Sequence, residues 1–192
     1  MAKIVQPEKL QGRYVNLREV TVDDAEFIFI LRRSEKAKYL DSISDNIEDQ
    51  RNYIKNYLTK ENEWYFIVEN KNFQPLGTLR ISHVGKEKIT LGSLDIKNND
   101  KNYFVIGAWL MIDNATSEES IEGEYLLKRY AFEVLNLEKN YFDVRKGNKR
   151  VLNFHKMYGA SVINEDDENY YFELTKENFL INSQKFLKMI YQ

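Results

Sequence analysis

The chain of 192 residues contains no cysteine, which excludes disulfides, thiolate metal sites and a cysteine nucleophile in one step. Histidine is nearly as scarce, at two, too few for most histidine-rich metal sites. Only two prolines and eight glycines occur, and no stretch has the composition of a linker or a low-complexity segment, so one continuous domain is expected over 1–192. No apolar run approaches the roughly 20 residues of a membrane span, and the opening "MAKIVQPEKL" lacks the apolar core of a signal peptide. A cytoplasmic protein that does not engage a membrane is the expectation. Lys and Arg number 28 against 30 Asp and Glu, a formal net charge of -2, so the electrostatic footprint of a general nucleic-acid binder is missing. Gly-rich P-loop, HExxH and G-x-S-x-G patterns are all absent.

What the chain has is apolar and aromatic surface. Hydrophobic residues make up 43% and aromatics 14%, enough to bury one sizeable core. "GRYVNLREV" (12–20) alternates as a strand, and "TVDDAEFIFILRR" (21–33) opens with Thr and two Asp before a helical pattern. "NIEDQRNYIKNYLTK" (46–60) gathers Ile47, Tyr53, Ile54, Tyr57 and Leu58 near one helical face, ahead of the strand "EWYFIVEN" (63–70). A turn at 70–75 leads to the strand-like "LGTLRISHV" (76–84). "KITLGSLDI" (88–96) and "NYFVIGAWLMI" (102–112) follow as two further strands, separated by polar 97–101. The second half changes rhythm: a long amphipathic helix over 120–137, a strand at 140–144, a helix at 148–159, a strand at 169–174 after the acidic turn "NEDDE", and a terminal helix with Thr175 as its cap. A β meander followed by a strand–helix–strand unit implies an α/β (α+β) layout, a mixed sheet flanked by helices.

"VRKGNKRVLNFHKMYGA" (144–160) holds one of the two histidines. On a helix beginning near Asn148, positions 148, 151, 155 and 158 or 159 share a face. Asn148 and His155 then lie about two turns, about 10 Å, apart along the axis. Val151, Phe154 and Tyr158 form the apolar stripe, with His155 inside it. Two readings stand for each polar residue: a core-edge imidazole or a group that does chemistry for His155, and the helix N-cap or a ligand contact for Asn148. His83, at a strand end, reads as a surface or rim residue. The cluster Arg145, Lys146, Lys149 and Arg150 is either a solvated helix face or a phosphate contact.

The spacing of Asn148, His155 and Gly159, preceded by "FDVRK", resembles the final motif of the Gcn5-related N-acetyltransferases, particularly the ribosomal-protein-acetylase-like branch. In that family the motif typically runs N, six residues, Y, three residues, G. His155 stands at the place of the tyrosine, the usual general acid. "LREVTVDDAEFIFILR" resembles the opening strand and helix, "WYFIVENKNFQPLGTLRI" the central hairpin and "GAWLMI" the strand beside the acyl donor. "IEGEYLLKRYAFEVL" is similar to sugar-modifying members. The resemblance covers nearly the whole chain and rests on the order and spacing of degenerate motifs.

The resemblance implies a single domain with a central, mostly antiparallel twisted sheet of about seven strands and helices on both faces. It implies transfer of acetyl from acetyl-CoA, as co-substrate and without a metal, directly to a primary amine. The favoured acceptor is an amino sugar on a nucleotide carrier, ahead of a protein N-terminal amine. His155 would be the acid that protonates the departing thiolate, and Glu122, in the "IE" of the sugar-modifying relatives, a base. Asn148 would bind the pantetheine arm, and the backbone of Trp109, Leu110 and Met111 would pair with its amides and polarise the thioester. The protein would act as a monomer or homodimer.

One region departs from the family. Its pyrophosphate loop usually reads Q/R-x-x-G-x-G/A, whereas this chain has "NATSEESIEGE", where Thr116 and Glu119 form a capping box and acidic side chains compensate the helix dipole. Either CoA is held by other contacts, Arg145, Lys146, Lys149 and Arg150 among them, or its binding is weak; the alternative to an enzyme is a non-catalytic acyl-CoA sensor or interaction module. Glu122 has its own plain reading as a first-turn acid.

Overall fold

The computed structural model describes residues 6–97 and 101–191. Half of the opening segment "MAKIVQPEKL" and most of the polar 97–101 connection lie outside the described residues. Strand β2 (Trp64–Asn70) explains the layering. Its side chains alternate between faces, so Tyr65 and Ile67 meet one apolar cluster while Trp64, Phe66 and Val68 meet another. The first cluster is closed by α1 (Ala25–Leu31) and α2 (Ile47–Leu58) through Ile28, Ile54 and Tyr57. The second is closed by α3 (Ser117–Arg129), α4 (Lys149–Met157) and α5 (Lys176–Ile190) through Leu126, Leu127, Phe154, Phe179 and Phe186.

The remaining strands are β1 (Val15–Glu19), β3 (Pro75–Ser82), β4 (Lys88–Leu91), β5 (Leu94–Lys97), β6 (Tyr103–Met111), β7 (Lys139–Arg145), β8 (Ser161–Glu165) and β9 (Asn169–Thr175). Seven of the nine form one sheet in the order β1-β2-β3-β6-β7-β9-β8. Every neighbouring pair is antiparallel except β6 with β7. The sequence expectation of a mixed seven-stranded sheet between helices holds. No helix of the described residues is long and apolar enough to cross a membrane.

Two local expectations are corrected and one strand is added. "KITLGSLDI" is a hairpin, β4 to β5, because Gly92 takes a positive φ of 52° and reverses the chain. The helix expected over 120–137 begins at Ser117, where Thr116 and Glu119 do form the capping box, and widens into a π turn over Tyr130–Val134. Strand β8 carries no sequence signal, since all five of its residues are exposed on a sheet edge.

The feature that matters most lies between β6 and β7. These parallel strands pair at only three positions, Tyr103 with Lys139, Phe104 with Asn140 and Val105 with Tyr141, and then part. Strand β6 bends there because it carries an extra residue: Thr78 partners Leu110 while Arg80 partners Gly107. The bulge centres on Ala108, a non-glycine residue at φ 53°, a conformation costing about 1–3 kcal/mol. The Thr78 hydroxyl donates to the Ala108 carbonyl at 2.6 Å and holds the bulge in place.

Candidate active site

The fork between β6 and β7 opens into a cleft of about 890 Å³. Strand β6 lines it with Gly107, Ala108 and Trp109, β7 with Phe142, Asp143 and Val144, and α4 with Asn148, Val151 and His155. The opposite wall comes from the segment between α1 and α2, including Tyr39, Asp41 and Ser44, and from Arg32, Tyr53 and Arg80. The cleft thus runs from the fork to a polar end over α1, α2 and β3.

His155 sits at the fork end and is 2% exposed. Its ring lies 4.2 Å from that of Phe142, 5.3 Å from Phe154 and 5.8 Å from Trp109, centroid to centroid. Beneath it is an ion pair no motif announced: Glu124 and Lys128, one turn apart on α3, are in direct contact and wholly buried. His155 Nδ1 is 3.9 Å from Glu124 Oε1 and makes no hydrogen bond. Burial first, and the Lys128 charge second, hold the imidazole well below its ordinary pKa. At neutral pH it is therefore uncharged. With Nδ1 turned to the carboxylate, Nε2 is the nitrogen left for a ligand. Burial likewise holds Lys128 well below the ordinary lysine range.

Asn148 is the N-cap of α4, its side chain accepting from the Val151 amide at 3.4 Å, and it also lines the cleft. Trp109 lines the cleft as well, and its indole nitrogen is buried without a hydrogen-bond partner. The side chains of Leu110 and Met111 are buried in the apolar clusters, so these two residues offer a ligand only their backbone. On the β7 side, β6 has no paired strand beyond Val105, which leaves main-chain groups along the fork for an extended ligand to bond.

The basic cluster divides. Arg145 pairs with Glu168, and Lys146 Nζ lies 2.8 Å from Glu165, so both are neutralised by the β8–β9 segment. Arg150 Nη2 reaches the Ser117 hydroxyl at 3.3 Å, beside the N-terminus of α3. Lys149 is exposed and has no ion pair among the described residues. The first turn of α3 is capped by its own side chains: Glu119 accepts from the Thr116 amide at 2.8 Å, and Thr116 from the Glu119 amide at 3.1 Å.

Glu122 is corrected. Its carboxylate does not line the cleft; it accepts from the amides of Arg13, Tyr14 and Val15 at 2.8, 2.6 and 2.8 Å and from the Tyr191 hydroxyl at 2.5 Å. It ties the chain's entry into β1, and its C-terminal end, to α3. Replacing it with glutamine leaves buried donors unmatched, and Glu122→Gln is expected to cost about 3 kcal/mol in urea denaturation with kcat of the folded protein unchanged. A stable variant that had lost turnover would return Glu122 to the chemistry.

His83 is half-buried at the cleft rim with a positive φ of 61°, its Nδ1 2.9 Å from the Ser82 hydroxyl. The described residues contain no group of three or more His, Asp or Glu able to hold a metal ion.

Sequence reasoning passed over Arg32, Arg80, Glu124 and Lys128. The last two have the i, i+4 spacing of an ordinary surface pair, and the arginines lie on elements that only the tertiary fold brings together.

No protein-family model and no curated protein matches the chain. Solved structures do. FdhC, a nucleotide-linked sugar GNAT in its apo form, is 30% identical with a TM-score of 0.78, over 94% of this chain and 97% of that one. The spermidine/spermine N-acetyltransferase SpeG from Vibrio cholerae, in complex with manganese ions, superposes with a TM-score of 0.67 over 88% and 97% of the two chains at 13% identity, a likeness of fold. With the bulged β6, the forked β6–β7 pair and an end-to-end match at 30% identity, the chain belongs to the Gcn5-related N-acetyltransferase superfamily and is an enzyme of that type.

Proposed function

We propose that the protein transfers the acetyl group of acetyl-CoA to the primary amine of a nucleotide-linked amino sugar. The observation that carries the transfer reading is the fork. Its free β6 edge suits the amides of a pantetheine arm, and the Ala108 bulge turns main-chain groups toward the point where a thioester carbonyl would stop. Trp109 and Asn148 would flank the arm, and Arg150 and Lys149 would meet the donor's phosphates in place of the family's glycine-rich loop. The acceptor assignment rests on likeness to a nucleotide-linked sugar GNAT across both chains.

In the reaction the amine nitrogen bonds to the acetyl carbonyl carbon and the C–S bond breaks. The amine loses a proton and the thiolate gains one. Main-chain N–H groups of β6 stabilise the oxyanion between. His155 would carry the proton from the amine to the departing thiolate, with the neutral imidazole as its resting form and, because burial depresses its pKa, imidazolium only as a transient, strong acid.

The test is release of CoA thiol with a panel of amines: nucleotide-linked amino sugars, free amino sugars, spermidine and peptide N-termini. The nucleotide-linked amino sugars are expected to give the highest kcat/KM. Preference for another class would replace the acceptor assignment. Absence of turnover with every amine, alongside binding of CoA, would instead favour a sensor.

A further inference from the structure

The polar end of the cleft holds two guanidinium groups with no carboxylate partner among the described residues. Arg32, at the end of α1, donates to the Asp41 carbonyl, and Arg80, on β3, donates to the Tyr53 hydroxyl at 2.5 Å. Neither makes an ion pair among the described residues, although Asp41, Asp49 and Asp143 line the same cleft. Both keep a buried Nε that meets no hydrogen-bond partner. They flank one residue: Tyr65 sits opposite Arg80 in the β2–β3 register and feels the field of both charges. Its hydroxyl is nonetheless pushed up to about 12, because burial outweighs the two arginines.

Two uncompensated guanidiniums beside a buried phenol are costly unless something negative joins them, since a partly buried charge gains from pairing and loses from isolation. The planar fork of donors on each arginine suits phosphoryl oxygens, which accept two parallel N–H bonds. We propose that Arg32 and Arg80 form the subsite for the diphosphate of the acceptor. This rests on the acceptor reading given above and deepens it. Arg80 also stands over Gly107, where an added Cβ would lie 3.6 Å from Nη2, so an acceptor anchored there has its anionic end next to the bulge where the fork begins. The same pair disfavours a polyamine acceptor, whose charges would meet like charges without a counterion.

The test separates binding from turnover. Inorganic pyrophosphate is titrated by calorimetry into protein saturated with CoA, so that the donor's phosphate contacts are already filled. Wild-type protein is expected to bind it, Arg32→Gln and Arg80→Gln each to weaken it at least tenfold, and Arg80→Lys to restore part of the loss. In turnover, the two glutamine variants are expected to raise KM for a nucleotide-linked amino sugar at least tenfold with KM for acetyl-CoA unchanged. Circular dichroism of each variant confirms that it folds. The subsite is overturned by wild-type protein that binds no pyrophosphate, or by glutamine variants that bind it equally well. It is also overturned by a nucleotide-linked amino sugar turned over with unaltered KM in both variants, and in that case the transfer reading stands. Arginine-dependent pyrophosphate binding without turnover of any amine would support the subsite and remove the transfer reading.

Discussion

Lys128→Met is expected to lower the stability of the protein by about 3–5 kcal/mol, measured by urea denaturation at pH 8. The size follows from what is left behind. Glu124 and Lys128 are both wholly buried and in contact, and the side chains around them are aromatic: Lys128 Nζ lies 4.9 Å from the ring centre of Tyr158 and 5.7 Å from that of Phe142. Removing the ammonium strands a carboxylate in that setting, whereas replacing both members by apolar groups of similar volume removes the charge problem altogether. The double variant Glu124→Leu with Lys128→Met should therefore recover most of the loss. Additive losses in the two single variants would show that the pair is uncoupled.

The penalty should also depend on pH. Without Lys128, the imidazole of His155 has a lone carboxylate 3.9 Å from Nδ1 and no cation to repel its proton. It charges more readily, and the cost of Lys128→Met should shrink as pH falls from 8 to 6. A constant penalty across that range would show that His155 does not respond to the pair.

Much of this architecture is legible in the sequence because it is written in side-chain period. The double-faced run of β2, the capping box of α3 and the Thr175 cap of α5 declare themselves locally. The fork does not, since its cause is a bulge at an alanine, and nothing in "GAWLMI" marks Ala108 for a positive φ. The edge strand β8 has no buried face to produce a pattern. Glu122 misleads for a related reason: the string around it resembles sugar-modifying relatives, yet its carboxylate meets the amides of residues more than a hundred positions earlier, a contact set by where β1 docks on α3. Local strings report local structure, while charge pairing such as Glu124 with Lys128 or its absence at Arg32 and Arg80 is a property of the packed molecule.

His155→Phe should move stability and activity in opposite directions, and this opposition is what distinguishes a working residue from a core filler. Phenylalanine keeps an aromatic ring among Phe142, Phe154 and Trp109 and removes a buried nitrogen that has no partner. Stability at neutral pH should hold or rise by about 1 kcal/mol. The pH dependence should change too. Because burial depresses the folded-state pKa of His155, the unfolded chain binds a proton that the folded protein refuses. Wild-type stability is fully present above the unfolded value of 6.5 and falls as pH drops below it, by up to about 1.4 kcal/mol per unit down to the depressed folded value. His155→Phe removes that contribution, so comparison of denaturation midpoints at pH 7.5 and 5.5 should show a smaller drop in the variant. Turnover should fall about a hundredfold in kcat, the usual range for losing a positioned proton-transfer group, with little change in KM for acetyl-CoA. A variant as active as wild type, and at least as stable, would make His155 a packing residue and leave the amine's proton to water in the cleft.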